Sequence, residues 1–373
     1  MQPLLLFIVS PAILCLPVNA EGAVKPALQA FVTRCPVAGV SWAFREFNST
    51  AWSRQTEQTD DQSGAASERT AKPAKQSTFR IGTSDVQASA DVAESGRPIT
   101  VLTTNDLELR DEGKPQAILY FAHDSEPLDI VLLLDVSGSV RRYLADMMSI
   151  SRVALSRLLP QDRVAVMIFS RDARIEQSFT RSRDKIAAAI EKASTDEPPG
   201  SGTKINAAIR SAARYLGSQN SGDLRRRAIL IVTDNSGMSY DVHQEQALRS
   251  LYDANITLDA LVVGRHPHPP EPRPGSVINP SFAFDDVFPL ADQTGGEAIP
   301  TTKPKASLGR MLSRIRDRYA LVYHVPASAS PGTFRRIRIE LSPEAKKRFP
   351  RAVVSARAGY YVYGSTALEG IRP

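Results

Sequence analysis

The sequence predicts an α/β fold, a doubly wound and mostly parallel sheet with helices on both faces. The first observation is a set of continuous apolar runs, typical of strands covered on both sides, at 130–134, 164–169, 229–232 and 258–263. The second is a set of amphipathic stretches between these runs, at 147–159, 184–192, 206–216 and 244–254. Alternation of this kind builds right-handed parallel crossovers.

Sequences typical of β-structure flank this core. Short alternating stretches separated by the turn sequences 94–98 and 111–115 predict a small N-terminal β module. A helix near 307–318 and a strand near 319–325 are expected to close the α/β domain. Two more strands, at 335–339 and 352–354, predict a C-terminal β tail. The expected boundaries are 78–126 for the β module, 127–326 for the α/β domain and 327–373 for the tail.

The N-terminus predicts export. Residues 1–20 hold an apolar run that ends in Val18-Asn19-Ala20, which is typical of a signal peptide cleaved after Ala20. We therefore expect a periplasmic or extracellular protein, with association to the cell surface left open. Residues 21–77 are expected to form a leader and a polar, disordered linker. The mature chain would keep one cysteine, Cys35, which excludes an intramolecular disulfide.

A candidate metal site follows the first apolar run. The run ends in Asp135-Val136-Ser137-Gly138-Ser139, and alternate residues of an extended chain point the same way. In open α/β sheets, ligands bind at the carboxyl ends of the strands. Because Mg²⁺ takes about six oxygen ligands, we expect the oxygens of Asp135, Ser137 and Ser139 to converge on one cation.

This pentad resembles the Asp-x-Ser-x-Ser motif of von Willebrand factor type A (VWA) domains, which is called the metal-ion-dependent adhesion site. The resemblance implies two more ligands, Thr203 after a Gly-rich loop and Asp234 at the end of a later strand. It also implies Mg²⁺ or Mn²⁺ as the bound ion. Many relatives have Gly after the last Asp where this chain has Asn235, a residue that tolerates left-handed backbone.

The surrounding sequence, roughly 79–360, is similar to a bacterial family of secreted proteins with VWA-related domains. The similarity rests on five short sequence segments, at residues 96–98, 105–109, 111–116, 160–164 and 357–360. The family adds an expected architecture, a short β segment before the VWA domain. It implies no particular activity.

We expect a binding protein that catalyses no reaction. The resemblance to the adhesion site implies that the bound ion keeps one open coordination position. An Asp or Glu carboxylate of a protein partner is expected to fill that position. A metal-assisted hydrolase is the main alternative, but it needs a general base that the sequence does not nominate. A structural domain whose metal only braces loops is the other alternative.

The distribution of charge along the chain indicates which kinds of partner to expect. The net charge of +6 attracts phosphate in general, but residues 78–129 hold ten acidic and four basic residues, whereas 303–351 hold thirteen basic and three acidic ones. We therefore expect the two flanks to pack together and do not expect a nucleic-acid partner. An anionic surface is kept as a second partner for the basic tail. The Pro-rich loop 265–274, with His266 and His268, is expected to lie beside the metal and to shape partner choice.

Overall fold

The computed structural model describes residues 85–123, 125–195, 200–219, 224–265, 267–269 and 283–363. The expected signal peptide, the leader and linker with Cys35, and most of the Pro-rich loop lie outside these residues. The described residues all belong to one folded unit, Pro73–Pro373. Within them, no helix has both the length and the apolar character needed to cross a bilayer.

Strands and helices alternate through most of the described chain. Its strands, in order, are β1 Asp85–Glu94, β2 Arg97–Pro98, β3 Leu107–Asp111, β4 Lys114–Gln116, β5 Tyr120–Ala122, β6 Leu128–Asp135, β7 Arg163–Phe169, β8 Ala173–Thr180, β9 Arg226–Thr233, β10 Met238–Ser239, β11 Ile256–Val263, β12 Ala283–Phe284, β13 Ala298–Thr301, β14 Tyr319–His324, β15 Phe334–Leu341, β16 Ala352–Ala356 and β17 Gly359–Tyr361. Its α-helices are α1 Arg141–Leu155, α2 Arg183–Thr195, α3 Ile205–Gly217, α4 Gln244–Asp253, α5 Val287–Thr294, α6 Pro304–Arg316 and α7 Pro343–Arg348.

The central sheet has six strands in the order β13-β11-β9-β6-β7-β8. The strands β7, β6, β9, β11 and β13 pair in parallel, and β8 joins the edge antiparallel to β7. Every residue of β6 and of β11 is buried, because these strands are covered on both faces. The predicted doubly wound, mostly parallel sheet is confirmed.

Two layers of helices cover this sheet. One hydrophobic cluster joins Leu132 and Leu134 of β6 to α1, α2 and α6. The other joins Val131 and Leu133 of β6 to α3, α4 and α5. Because successive residues of a strand point to opposite faces, the one apolar run of β6 contributes side chains to the hydrophobic clusters on both faces of the sheet.

The segments before and after the central sheet form one β structure. Strand β1 pairs with β14 and β16 in a five-stranded sheet, and β3 pairs with β15 in a four-stranded sheet. Three buried carboxylates of the acidic flank contact arginines of the basic flank, in the pairs Asp91 with Arg314, Asp106 with Arg348 and Asp111 with Arg335. The expectation that the two flanks pack together is confirmed.

One strand lies in a different sheet from the one expected. The predicted strand near 319–325 is β14, but it pairs antiparallel with β1 and β5 and does not close the central sheet. Tyr319 and Tyr323 explain this, since both are fully buried in the core between the β sheets. Their hydroxyls donate to Ile99 O at 2.8 Å and to Asp111 Oδ2 at 2.9 Å. The central sheet ends instead at β13, which the sequence analysis did not predict.

Candidate metal centre

The first candidate ligand, Asp135, is the last residue of β6. Its side chain is fully buried. Oδ1 accepts a hydrogen bond from the backbone N–H of Ser137 at 2.9 Å, and Oδ2 accepts one from the hydroxyl of Thr233 at 2.8 Å. Because β6 and β9 are neighbours, the end of β9 comes directly beside this carboxylate. These two bonds fix its orientation.

The electrostatic setting of Asp135 is unusual for a buried carboxylate. Burial, with a smaller contribution from the charge of Asp234, raises its pKa to about 6 against the opposing hydrogen bonds from Ser137 and Thr233. Among the described residues, no lysine, arginine or histidine forms an ion pair with it. A buried carboxylate without a positive partner is costly. A bound cation would remove this cost.

The hydroxyls of Ser137 and Ser139 lie 3.3 Å apart. Ser137 is half-buried and Ser139 is exposed, so the pair stands at the rim of the sheet. The chain turns here because the carbonyl of Ser137 accepts hydrogen bonds from the N–H groups of Val140 and Arg141, both at 3.1 Å. The turn leads directly into α1 and leaves both hydroxyls on the solvent side of Asp135.

Thr203 is positioned by backbone contacts at both ends of its loop. The hydroxyl of Ser170, which follows β7, donates to the carbonyl of Gly200 at 2.9 Å, and Lys204 N–H donates to Ser170 O at 2.9 Å. The carbonyl of Thr203 accepts from Met238 N–H at 2.9 Å. The loop is therefore held between the end of β7 and the segment that follows β9. Gly200 adopts a φ of 89°, which favours glycine.

Asp234 directly follows β9 and is half-buried. Its Oδ1 accepts from Ser236 N–H at 3.2 Å. Its charge acts on the neighbouring Asp135, so the two carboxylates lie within electrostatic range of each other. Oxygen atoms from adjacent strands thus face the same rim.

The side chain of Asn235, the residue after Asp234, contacts two further segments of the chain. It has the left-handed φ of 57° that the sequence analysis allowed for. Its Nδ2 donates to Pro267 O and to Asp286 Oδ1, each at 3.0 Å, and its Oδ1 accepts from Val287 N–H at 3.1 Å. The sequence analysis treated this residue only as a substitute for glycine and missed its side-chain role. The start of the Pro-rich loop and the start of α5 are both anchored beside Asp234.

Asp285 is a buried residue that the sequence analysis also missed. Its Oδ2 accepts from Ile205 N–H at 2.8 Å and from the hydroxyl of Ser239 at 2.7 Å, and its Oδ1 accepts from Asn206 Nδ2 at 2.6 Å. Burial raises its pKa. Asp285 therefore fastens the start of α3, two residues after Thr203, to the strand that follows Asp234. No local pattern marks this role, because the partners of Asp285 are distant in sequence.

The five candidate ligands are held to different degrees. Hydrogen bonds join Asp135, Ser137 and Ser139 in series, and Asp234 directly follows Thr233, whose hydroxyl donates to Asp135. Thr203 is held through its backbone, and in the described part of the chain no hydrogen bond joins its hydroxyl to the other four. The structure thus brings four candidates to one rim and places the Thr203 loop against the segment beside it.

The donor chemistry fits a hard divalent cation. All five side chains offer oxygen, and carboxylate and hydroxyl oxygens are the ligands that Mg²⁺ and Mn²⁺ prefer. Among the described residues, no group of three or more His, Cys, Asp or Glu side chains could hold a metal. A site built here would depend on hydroxyls for most of its protein ligands.

Comparison with known families agrees with this geometry. A family model described as von Willebrand factor type A domain matches residues 130–237. The matched segment runs from β6 to the turn after β9 and includes all five candidate ligands. No match is found among curated proteins.

Several solved structures are similar to parts of the chain. BatB from Bacteroides thetaiotaomicron is 20% identical over 50% of this chain and 97% of its own, with a TM-score of 0.37. A von Willebrand factor type A protein from Catenulispora acidiphila is 11% identical over 79% of this chain and 78% of its own, with a TM-score of 0.40. Proximal thread matrix protein 1 from the mussel byssus, with a zinc-occupied MIDAS motif, is 13% identical over 54% of this chain and 48% of its own, with a TM-score of 0.41.

Proposed function

This chain contains a von Willebrand factor type A domain, and from that premise we propose that it is an exported, non-enzymatic protein that binds a partner protein through a divalent cation. The observation that carries the proposal is Asp135. It is a fully buried carboxylate with no cationic partner among the described residues, and the two rim hydroxyls of Ser137 and Ser139 stand next to it.

The proposed protein ligands for Mg²⁺ or Mn²⁺ are Asp135, Ser137, Ser139, Thr203 and Asp234. Three of these donors are neutral, so once a divalent cation is bound the two carboxylates only balance its charge and leave no net negative charge to repel an approaching carboxylate. Ser139 is exposed, which leaves the rim open to solvent. When bound, the cation supplies a coordination position that an Asp or Glu side chain of the partner would fill. The chain's own residues hold and orient the ion and leave that position accessible.

The alternative of a metal-assisted hydrolase has less support. Such an enzyme needs a general base within hydrogen-bond reach of the attacking water. His243, the next histidine along the chain after Asp234, instead takes part in a capping box at the start of α4. No geometry among the described residues favours hydrolysis over binding.

Relaxation of water protons by bound Mn²⁺ tests the proposal directly. Mn²⁺ bound at the rim should keep exchangeable water and relax solvent protons efficiently. A short peptide with one central aspartate should displace that water and lower the relaxation, whereas the same peptide with asparagine should leave it unchanged.

Two variants and one control make the experiment specific. Asp135→Asn should abolish high-affinity Mn²⁺ binding, and Ser139→Ala should weaken it while leaving the protein folded. Asp172→Asn removes an exposed carboxylate that follows β7 and should bind Mn²⁺ like the wild type. If the aspartate and asparagine peptides act alike on a wild-type protein that binds Mn²⁺, the carboxylate mechanism is wrong.

A further inference from the structure

A long groove runs along the outer surface of the α3–α4 layer. Two cavities of about 640 and 230 Å³ share Arg210 and Arg214 in their walls and therefore adjoin along α3; we call this pair the groove. One end lies at Lys204, the residue after Thr203, and the other end lies at Tyr361 of β17. Helix α3 has 13 residues, which makes the groove about 20 Å long at 1.5 Å per residue.

Cationic side chains lie along the whole groove. They are Arg171, Lys204, Arg210, Arg214, Arg227 and Arg249. Two of them have acidic partners within the groove wall: Lys204 contacts Asp241 at 3.1 Å, and Arg249 contacts Asp253 at 2.8 Å. Arg249 also stacks over the ring of Tyr361.

The middle of the groove has positive charge without a matching acid. Arg210 and Arg214 are four residues apart on one face of α3, and among the described residues the guanidinium of neither forms an ion pair or a hydrogen bond. Like charges at this spacing repel each other and weaken a helix. Two acidic side chains of the groove, Glu245 in the larger cavity and Asp172 in the smaller one, form no ion pair in the described structure, against the unpaired Arg210, Arg214 and Arg227.

Arg227 adds a third cation at the far end of this stretch. Its guanidinium donates to the carbonyls of Ala254 at 3.1 Å and Gln219 at 3.4 Å, and to no carboxylate. Burial lowers its pKa; the charge of Asp129 opposes this shift, whereas the charges of Arg163 and Arg225 add to it. An anion bound in the groove would offset this desolvated charge.

We propose that this groove binds an extended acidic segment of the partner protein. This inference rests on the proposed function for its geometry, because the groove begins beside Thr203. A segment whose first carboxylate reaches the cation could continue along α3 towards Arg227. Charge complementarity and length favour a peptide. An extended chain of about six residues spans about 20 Å, whereas a single phosphate reaches only one or two of the arginines.

Fluorescence anisotropy with labelled hexaglutamate in EDTA tests the groove without the metal. The wild type should bind the peptide, and added NaCl should weaken binding because the contacts are exposed. The double variant Arg210→Gln/Arg214→Gln should bind about tenfold more weakly, since two exposed ion pairs together account for roughly that factor.

A matched control removes two exposed cations from α6, on the other face of the sheet. Lys305→Gln/Arg310→Gln should bind hexaglutamate within about twofold of the wild type. Equal weakening in both double variants would show attraction by net charge alone and would overturn the proposal. So would binding of phosphatidylserine vesicles without any binding of the peptide. Circular dichroism checks folding, and the single exposed substitution Arg214→Gln replaces the double variant if that variant unfolds.

These experiments distinguish failure of the groove proposal from failure of the proposed metal-dependent function. Asp135→Asn should leave hexaglutamate binding in EDTA unchanged, because the groove does not need the metal. If Mg²⁺ never tightens peptide binding but the arginine variant still weakens it, the groove is supported and the metal-dependent function is not. If hexaglutamate does not bind in EDTA, the groove is ruled out whatever the metal does.

Discussion

Each end of β6 holds a buried aspartate, but the two carboxylates have different partners and opposite pKa shifts. Asp129, near the amino end, accepts hydrogen bonds from Arg163 Nε and Arg225 Nε, both at 2.9 Å. Although burial raises its pKa, these two arginines bring it below the ordinary value. Asp135, at the carboxyl end, accepts from the backbone N–H of Ser137 and the hydroxyl of Thr233, forms no ion pair in the described part of the chain, and has its pKa raised to about 6. The same strand therefore neutralises one carboxylate internally and leaves the other without an ion-pair partner in the described structure, which is where we propose that an external cation binds.

The contrast extends across the sheet. In the amino-terminal half of β11, Arg318 pairs with buried Asp259 through two hydrogen bonds of 2.6 and 2.7 Å. At the amino end of β9, Arg226 donates to Arg316 O at the end of α6 at 2.7 Å and to Arg318 O just beyond it at 2.6 Å. These charged groups are matched within the protein and tie the central sheet to α6 and the residues that follow it, whereas the neighbouring Arg227 donates only to carbonyls. Hydroxyls and unmatched carboxylates concentrate at the opposite end, which is where binding is expected.

The largest predicted effect is at the amino end. Asp129→Asn leaves Arg225 and Arg163 without their shared carboxylate, and breaking a buried ion pair costs about 3 kcal/mol or more. Urea unfolding should show this loss in the free energy of unfolding. Asp135→Asn, measured without metal, should cost far less, because no cation is left unpaired. Equal losses for the two variants would remove the distinction between the two ends.

Lowering the pH should remove the stabilisation that Asp129 provides. Since the pKa of Asp129 is lower in the folded protein than its ordinary value of 3.8, the unfolded chain binds the proton more readily. Its stabilising contribution is therefore complete above that value and is lost as pH falls through the folded-state pKa. Stability measured from pH 5 down to pH 2 should fall less steeply in Asp129→Asn than in the wild type.

A smaller effect is predicted for Asp285, which positions the carboxyl end. Asp285→Ala leaves buried hydrogen-bond donors of Ile205 and Ser239 unsatisfied, at a cost of about 2 kcal/mol. Because it fastens the Thr203 loop, the same change should weaken Mg²⁺ binding by about tenfold or more, as is usual for residues that orient metal ligands. Asp292→Ala, at an exposed position of α5, is the control. Unchanged Mg²⁺ affinity in Asp285→Ala would limit this residue to a structural role.

The smallest effect is predicted for an exposed ion pair. Arg152 and Asp184 approach to 2.6 Å, but their side chains are 69% and 79% exposed. Asp184→Asn should therefore change the free energy of unfolding by less than about 0.5 kcal/mol. The contacts at Asp129 are of similar length, so this variant isolates burial as the cause of the larger loss. A cost near that of Asp129→Asn would contradict the explanation.

Local sequence patterns predicted the parts of the fold that depend on burial. The buried runs became β6, β7, β9 and β11, since a strand covered on both faces must be apolar throughout. The edge strand β8, Ala173–Thr180, was missed because an edge strand is only half covered and its sequence is mixed. Helix α1 begins at Arg141 rather than near 147, because its first turn is polar. The sheet that β14 joins depends on Tyr319 and Tyr323 packing against distant residues, which no local pattern contains.

The candidate site was predictable to a similar extent. The motif nominated five side chains, and hydrogen bonds or proximity join four of them at the rim. The residues that hold them, Thr233, Asn235 and Asp285, were not predicted because their partners come from separate segments. Only the tertiary structure shows that Asp285 contacts the start of α3. The ligand set of five therefore stays a proposal that direct metal measurements must test.

Calorimetric titration of Mg²⁺ into protein treated with EDTA tests the central claim most directly. We expect the wild type to take up one ion per chain, Asp135→Asn to take up none, and Asp172→Asn to behave like the wild type. Absence of uptake by the wild type, or uptake that Asp135→Asn leaves unchanged, would contradict the claim that the carboxyl end of β6 is built for a cation.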